Sequence, residues 1–182
     1  PSSTEVELEK SQRYAIKVEC VPRFFASARL TWLPADPGRE QRAVEAAREA
    51  DVVVAVVGIT SDLEGEELQT NVPGFAGGDR TGLDLPAPEQ QLLEAVKAAG
   101  QPLVVVLMSG SALAVNWANE HADAILQAWY PGEEGGTGIA ETLAGINNPA
   151  GRLPVTVYKG VDQLPPFTDY SMANRTYRYF DG

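Results

Sequence analysis

Apolar and polar positions change rhythm along the chain. Between residues 5 and 33, Val6, Leu8, Tyr14, Ile16 and Val18 alternate with polar neighbours, and Ala28, Leu30 and Trp32 do the same. A period of two is the signature of half-buried antiparallel strands. Two or three strands cannot stand as a domain, so this stretch is expected to be the end of a separate β-domain. The boundary is placed at 36/37, inside a Pro/Gly-rich stretch running from Pro34 to Gly38.

From Arg39 the rhythm becomes helix then strand, repeated. Ala43, Val44, Ala47 and Ala50 make an apolar stripe at helical spacing, and Val52 to Val57, closing at Gly58, predicts a strand buried on both faces. Pro88 to Ala99 predicts a helix with Leu92, Leu93 and Val96 inward and Gly100 as its stop. Leu103 to Met108 predicts the next buried strand. Ser111 is placed to cap a helix running to about Glu120, Ala124 to Trp129 predicts a third strand, and Glu133 to Leu143 a helix stopped at Gly145. Strands alternating with helices make an α/β fold, a mostly parallel sheet flanked by helices with right-handed crossovers. Residues 146 to 182, rich in Pro and aromatics, predict an ordered tail with one strand at Leu153 to Tyr158.

Composition narrows the function. A formal net charge of −11 repels nucleic acid and anionic membrane alike, leaving a neutral substrate such as a sugar compatible. The longest apolar runs fall far short of the roughly 20 residues that cross a bilayer. Cys20 is the single cysteine, so no internal disulfide forms and no thiolate cluster exists; core filler is its expected role. Opening on Pro1, without a basic segment followed by an apolar one, the chain is expected to carry no signal peptide and to be a processed or excised piece.

In an open parallel sheet, ligands bind beyond the carboxyl ends of the strands. The stretch from Ile59 to Leu85 lies there and exceeds the ~12–15 residues beyond which structureless loops are uncommon and usually functional or disordered. It holds Asp62, Glu64, Glu66 and Glu67, then Gly77, Gly78, Asp79 and Arg80, the last two forming a charge pair that could pin it. A carboxyl there, shielded by aromatics, can serve as a general acid; the alternative is a solvated acidic loop. Its spacing is not that of a calcium loop. Ser109 and Ser111 lack the glycines of a nucleophile elbow, and His121, the single histidine, is placed to meet the last carbonyls of a helix. Gly132 to Gly138 opens a helix but has neither phosphate-binding fingerprint. Asn174-Arg175-Thr176 is an N-glycosylation triplet, with meaning only in a eukaryotic secretory setting. None of these patterns calls for a cofactor.

The ordered succession ADVVVAVVG, LEGEE, PGFAGGDRTGLDLP, VVVLMSGSALAVNWA, AILQAWYPGEEGG, NPAGRLPVTVY and DYSMANRTYRYF resembles the second domain of family 3 glycoside hydrolases, in their β-xylosidase and β-glucosidase branch. The resemblance runs from Asp51 to Phe180. It implies a six-stranded α/β sandwich packed on a (β/α)8-type barrel, with hydrolysis of β-glucosides or β-xylosides by a retaining mechanism in the cleft between them. The barrel, absent from this chain, would bring an Asp nucleophile. The first long loop of the sandwich would lend the acid/base Glu, a role fitting Glu66 best, then Glu64, then Glu67; the insertion Leu68 to Ala76 departs from shorter family versions of this loop. The opening strands resemble the end of a protective-antigen-type β-domain. Two other readings remain: a scaffold or carbohydrate-binding module without catalysis, and a flavodoxin-like nucleotide binder.

Overall fold

A computed structural model describes residues 6–17, 19, 36–68, 70 and 72–181. The chain divides into two compact units, Pro1–Pro37 and Gly38–Gly182. In the first, the described residues 6–17 contain no strand, and their side chains are exposed. A turn forms in which Gln12 N–H donates to the Glu9 carbonyl at 3.3 Å. The alternation of Val6, Leu8, Tyr14 and Ile16 does not become a ladder, because a strand needs a partner for its N–H and C=O groups. Ala28, Leu30 and Trp32 lie outside the described residues.

The second unit follows the expected alternation. Helix α1 (Arg39–Glu49) leads into β1 (Val53–Gly58), then a hairpin of β2 (Phe75–Ala76) and β3 (Asp79–Arg80), helix α2 (Ala87–Lys97), β4 (Leu103–Met108), α3 (Asn116–His121), β5 (Ala124–Gln127), α4 (Gly135–Leu143), a 3-10 turn (Val161–Gln163) and α5 (Thr176–Tyr179). The main sheet is parallel in the order β1-β4-β5, with Val53 opposite Leu103 and Val104 opposite Ala124. It holds three strands among the described residues where the resemblance implies six.

The stripes decide which face is covered. Ala47 of α1, Leu93 and Val96 of α2 and Ala118 of α3 form one core with Val57, Leu103, Val105 and Leu107. Central β4 is buried on both faces. β1 is not, correcting the sequence reading: it lies at the edge of the sheet, and Val54 and Val56, pointing away from the helices, are 44% and 58% exposed. A continuous run of valines cannot report which face receives a second layer.

Two other expectations shift. Helix α3 starts at Asn116 rather than near Ser111, because Ala114 is held extended, donating to the Leu83 carbonyl at 2.8 Å and bridging to Asp84. Residues 153–158 form no strand; Pro154 has no N–H to give a ladder, and Leu153, Val155 and Val157 are exposed. The tail is nonetheless pinned, since Asn116 Nδ2 donates to the Lys159 carbonyl at 2.8 Å and Tyr158 meets Phe180 edge to face at 4.8 Å.

Candidate active site

The chain leaves β1 at Gly58, whose φ of +148° and tight packing both require glycine: a Cβ there would stand 1.8 Å from the Met108 carbonyl oxygen. Its N–H donates to Glu89 Oε2 at 2.7 Å. Burial pushes the Glu89 carboxyl above its ordinary range, and the Gly58 N–H works against that rise. Beyond Gly58, Leu63 and Glu64 donate to the Thr60 carbonyl at 2.9 and 3.0 Å, and Leu68 N–H closes a turn on the Gly65 carbonyl at 3.3 Å. Glu66 and Glu67 are the two central residues of that turn. Glu67, at φ +54°, occupies the position where such a turn bends into the left-handed region.

The hairpin of β2 and β3 clamps this turn from outside. Gly65 N–H donates to the Gly78 carbonyl at 3.3 Å, and Gly78, at φ +88°, leaves no room for a side chain. Next to it, Asp79 and Arg80 do not pair as expected, since neighbours on a strand point to opposite faces. Arg80 instead reaches the loop after β4, donating from Nη1 to Ser111 Oγ at 3.0 Å and to the Ala112 carbonyl at 2.7 Å. Ser111 is thus an anchor for Arg80 rather than a helix cap.

Glu64 lies where the loops after β1, β4 and β5 meet. It is half-buried, and its Oε2, like Arg80 Nε, is buried without a hydrogen-bond partner among the described residues. Its charge acts on the Arg80 guanidinium and the Tyr130 phenol without an ion pair or hydrogen bond to either. Burial lowers the Arg80 pKa while the charge of Glu64 opposes that; burial raises the Tyr130 phenol and the charge of Glu64 adds to it. Tyr130 packs its ring over Gly110, where a Cβ would fall 2.6 Å from the ring edge. Trp129 just before it sits at φ +56°, a strained conformation for a large side chain that tertiary packing must hold.

The three carboxylates expected from sequence therefore divide. Glu64 is half-buried with Oε2 enclosed, whereas Glu66 and Glu67 are exposed, without hydrogen-bond or ion-pair partners among the described residues. A pocket of about 330 Å³ opens past the carboxyl end of β1, lined by Gly58, Thr60, Ser61, Met108 and Tyr130, and none of the carboxylates of residues 62–67 lines it. The larger groove, about 1140 Å³, lies away from this loop against β5 and α4, and no carboxylate of residues 62–67 reaches it.

The remaining candidates have structural roles. Ser109 Oγ donates to the Ser111 carbonyl at 2.7 Å and accepts from Gln127 Nε2 at 3.2 Å, so no base activates it. His121 stacks on Trp117 at 4.6 Å with Nδ1 2.7 Å from the Trp117 carbonyl oxygen. Helix α4 has Glu134 at its N-cap, a charge that repels phosphate. Among the described residues no cluster of His, Cys, Asp and Glu is arranged to hold a metal ion, and no helix is long and apolar enough to cross a membrane. Sequence reasoning missed Tyr130 and Glu89. The signal for Tyr130 was an aromatic just past the carboxyl end of a strand; for Glu89 it was an acidic residue in the first turn of α2, without any hint of its contact with Gly58.

Comparison with known proteins gives the family. The model of the glycosyl hydrolase family 3 C-terminal domain matches residues 7–181. The chain is 44% identical over 188 residues to a xylan 1,4-β-xylosidase of Xylanibacter ruminicola, a match covering 100% of this chain and 21% of that protein. It is 40% identical over 149 residues to a periplasmic β-glucosidase of Salmonella typhimurium, covering 76% and 18%. Among solved structures, a β-glucosidase of Kluyveromyces marxianus in complex with glucose superposes with a TM-score of 0.66 at 30% identity, over 81% of this chain and 18% of that one. A β-glucosidase of Erythrobacter marinus does so at 0.63 and 40% identity, over 72% and 18%. The chain spans 18% to 21% of the length of these curated relatives.

Proposed function

Since the chain belongs to glycosyl hydrolase family 3, as its C-terminal domain, we propose that it supplies the acid/base half of a retaining β-glycosidase acting on terminal β-glucosides or β-xylosides, with Glu66 as the acid/base. The substrate class rests on relatives named as a β-xylosidase and β-glucosidases. The observation that carries the residue assignment is the placement of Glu66: a carboxylate with no partner among the described residues, on the corner of a turn clamped by Gly78, beyond the carboxyl end of β1.

In a retaining mechanism two carboxyls stand about 5 to 5.5 Å apart; one attacks the anomeric carbon while the other protonates the leaving oxygen, then takes a proton from the incoming water. Glu66 takes the second role. The nucleophile comes from a (β/α)8-type barrel in the complete polypeptide, so the isolated chain has little or no turnover of a nitrophenyl glycoside. In the complete enzyme, Glu66→Ala lowers the rate on unactivated aryl glycosides by roughly 10²-fold or more, while azide restores turnover of the activated substrate as a glycosyl azide. Unchanged rates would reduce the domain to a scaffold or sugar-binding module.

A further inference from the structure

We propose that Arg80 is a positioning residue: it fastens the β2–β3 hairpin to the loop after β4, and the fastened hairpin holds the turn at residues 65–68 so that Glu66 meets the substrate in one direction. The inference rests on the assignment of Glu66 as acid/base and adds what aims it.

The hairpin touches that turn on either side of Glu66. Gly65 N–H donates to the Gly78 carbonyl at 3.3 Å, and a Cβ on Gly78 would stand 1.7 Å from the Gly65 carbonyl oxygen and 2.9 Å from Leu68 Cβ. Gly65 and Leu68 are the first and last residues of the turn, so a shift of the hairpin tip carries Glu66 with it.

The hairpin cannot set its own place. Its ladder is two residues long, with Phe75 opposite Arg80 and Ala76 opposite Asp79, extended only by Thr81 N–H donating to the Gly74 carbonyl at 2.9 Å. An isolated hairpin is marginal even when longer, so contacts outside the ladder must locate it. Phe75 supplies the apolar one, packing against the core. Arg80, directly opposite, supplies the polar ones: Nη1 donates to Ser111 Oγ at 3.0 Å and to the Ala112 carbonyl at 2.7 Å, and Nη2 to the Asp84 carbonyl at 3.5 Å.

The anchor on the other side is itself fixed. The Ser111 carbonyl accepts from Ser109 Oγ at 2.7 Å, and Ser109, fully buried, accepts from Gln127 Nε2 of β5 at 3.2 Å. Hydrogen bonds therefore lead from the main sheet at Gln127 through Ser109 and Ser111 to Arg80, and from the hairpin at Gly78 to Gly65. Exposed Glu66 has no hydrogen-bond partner of its own among the described residues, so its direction is inherited from this frame. A misplacement of about 1 Å at a reacting group can cost on the order of 10²-fold in rate.

The test uses the complete enzyme carrying Arg80→Lys, which keeps the charge and loses the geometry. Two aryl glycosides are compared, an unactivated one whose departure needs a proton and an activated one whose departure does not. Arg80→Lys is expected to lower kcat/KM on the unactivated substrate by roughly 10-fold and to change it on the activated one by less than about threefold. Ser111→Ala, which removes one acceptor of Arg80, should show the same selectivity with a smaller loss, roughly threefold on the unactivated substrate. The double variant should lose little more than Arg80→Lys alone, because both cut the same link. Equal losses on both substrates would mean a merely structural role and overturn the proposal, as would unchanged rates. If Glu66→Ala shows azide rescue while Arg80→Lys gives either of those results, the positioning role alone fails. If Glu66→Ala behaves as wild type, the acid/base assignment fails and this inference with it. Should Arg80→Lys not fold, Ser111→Ala decides on the same two substrates.

Discussion

Gly78 stands so close to Gly65 that a Cβ at position 78 would fall 1.7 Å from the Gly65 carbonyl oxygen. The adjacent Gly77 also has a positive φ, yet has nothing within 4 Å of its would-be Cβ. The pair separates backbone strain from steric contact. Gly77→Ala should cost about 1 kcal/mol for the left-handed backbone alone, whereas Gly78→Ala must also push the 64–68 turn aside and should cost about 2–4 kcal/mol. Equal melting temperatures for the two variants would show that the turn yields freely.

Arg80 ties the hairpin to the loop after β4 through two hydrogen bonds from Nη1, while Nη2 reaches the Asp84 carbonyl at 3.5 Å, so the two nitrogens of the guanidinium serve different partners. A lysine cannot meet Ser111 and Ala112 in the same way. Arg80→Lys is expected to lose about 2 kcal/mol in chemical denaturation. A loss below about 0.5 kcal/mol would mean the ammonium reproduces both contacts.

Packing distinguishes the two strands that read alike in sequence. Leu93, fully buried against the sheet, should cost about 3 kcal/mol when replaced by Ala. Val56→Ala, on the exposed face of β1, should cost under about 1 kcal/mol. A large effect at Val56 would place a further layer on that face.

Two carboxylates give opposite pH signatures. Lys97 and the Leu103 N–H, at 2.9 and 2.8 Å, hold Asp123 below the ordinary aspartate range. Its stabilising charge is fully present above the unfolded value and is lost as pH falls through the lower, folded one. Asp123→Asn should flatten the acid limb of melting temperature against pH. Burial raises Glu89, so its ionised form opposes folding at neutral pH, and that opposition lifts as pH falls through the raised value. Glu89→Gln keeps an oxygen for the Gly58 N–H and should leave the melting temperature at pH 7 equal or higher. A fall of several degrees there would show that the Glu89 charge itself stabilises the fold.

The order of elements from α1 to α4 was legible in the sequence because it depends on local periodicity: Leu92, Leu93 and Val96 mark a helix wherever it packs, and six apolar residues before Ser109 mark a buried strand. The family was legible in the succession of motifs, and the model match confirms it. Which face of β1 is covered was not, since Val52 to Val57 reads the same at an edge as at the centre. Nor was the missing strand at 153–158, whose β-prone residues had no neighbour to pair with. The candidate site divides along the same line. Its carboxylates could be found from loop length and residue type, but the contacts of Arg80 with Ser111 and Ala112 and of Tyr130 with Gly110 join loops that are distant in the chain. Contacts of that separation are created only when parallel strands bring their carboxyl ends to one edge, so tertiary structure alone decided which carboxylate is enclosed and which faces out.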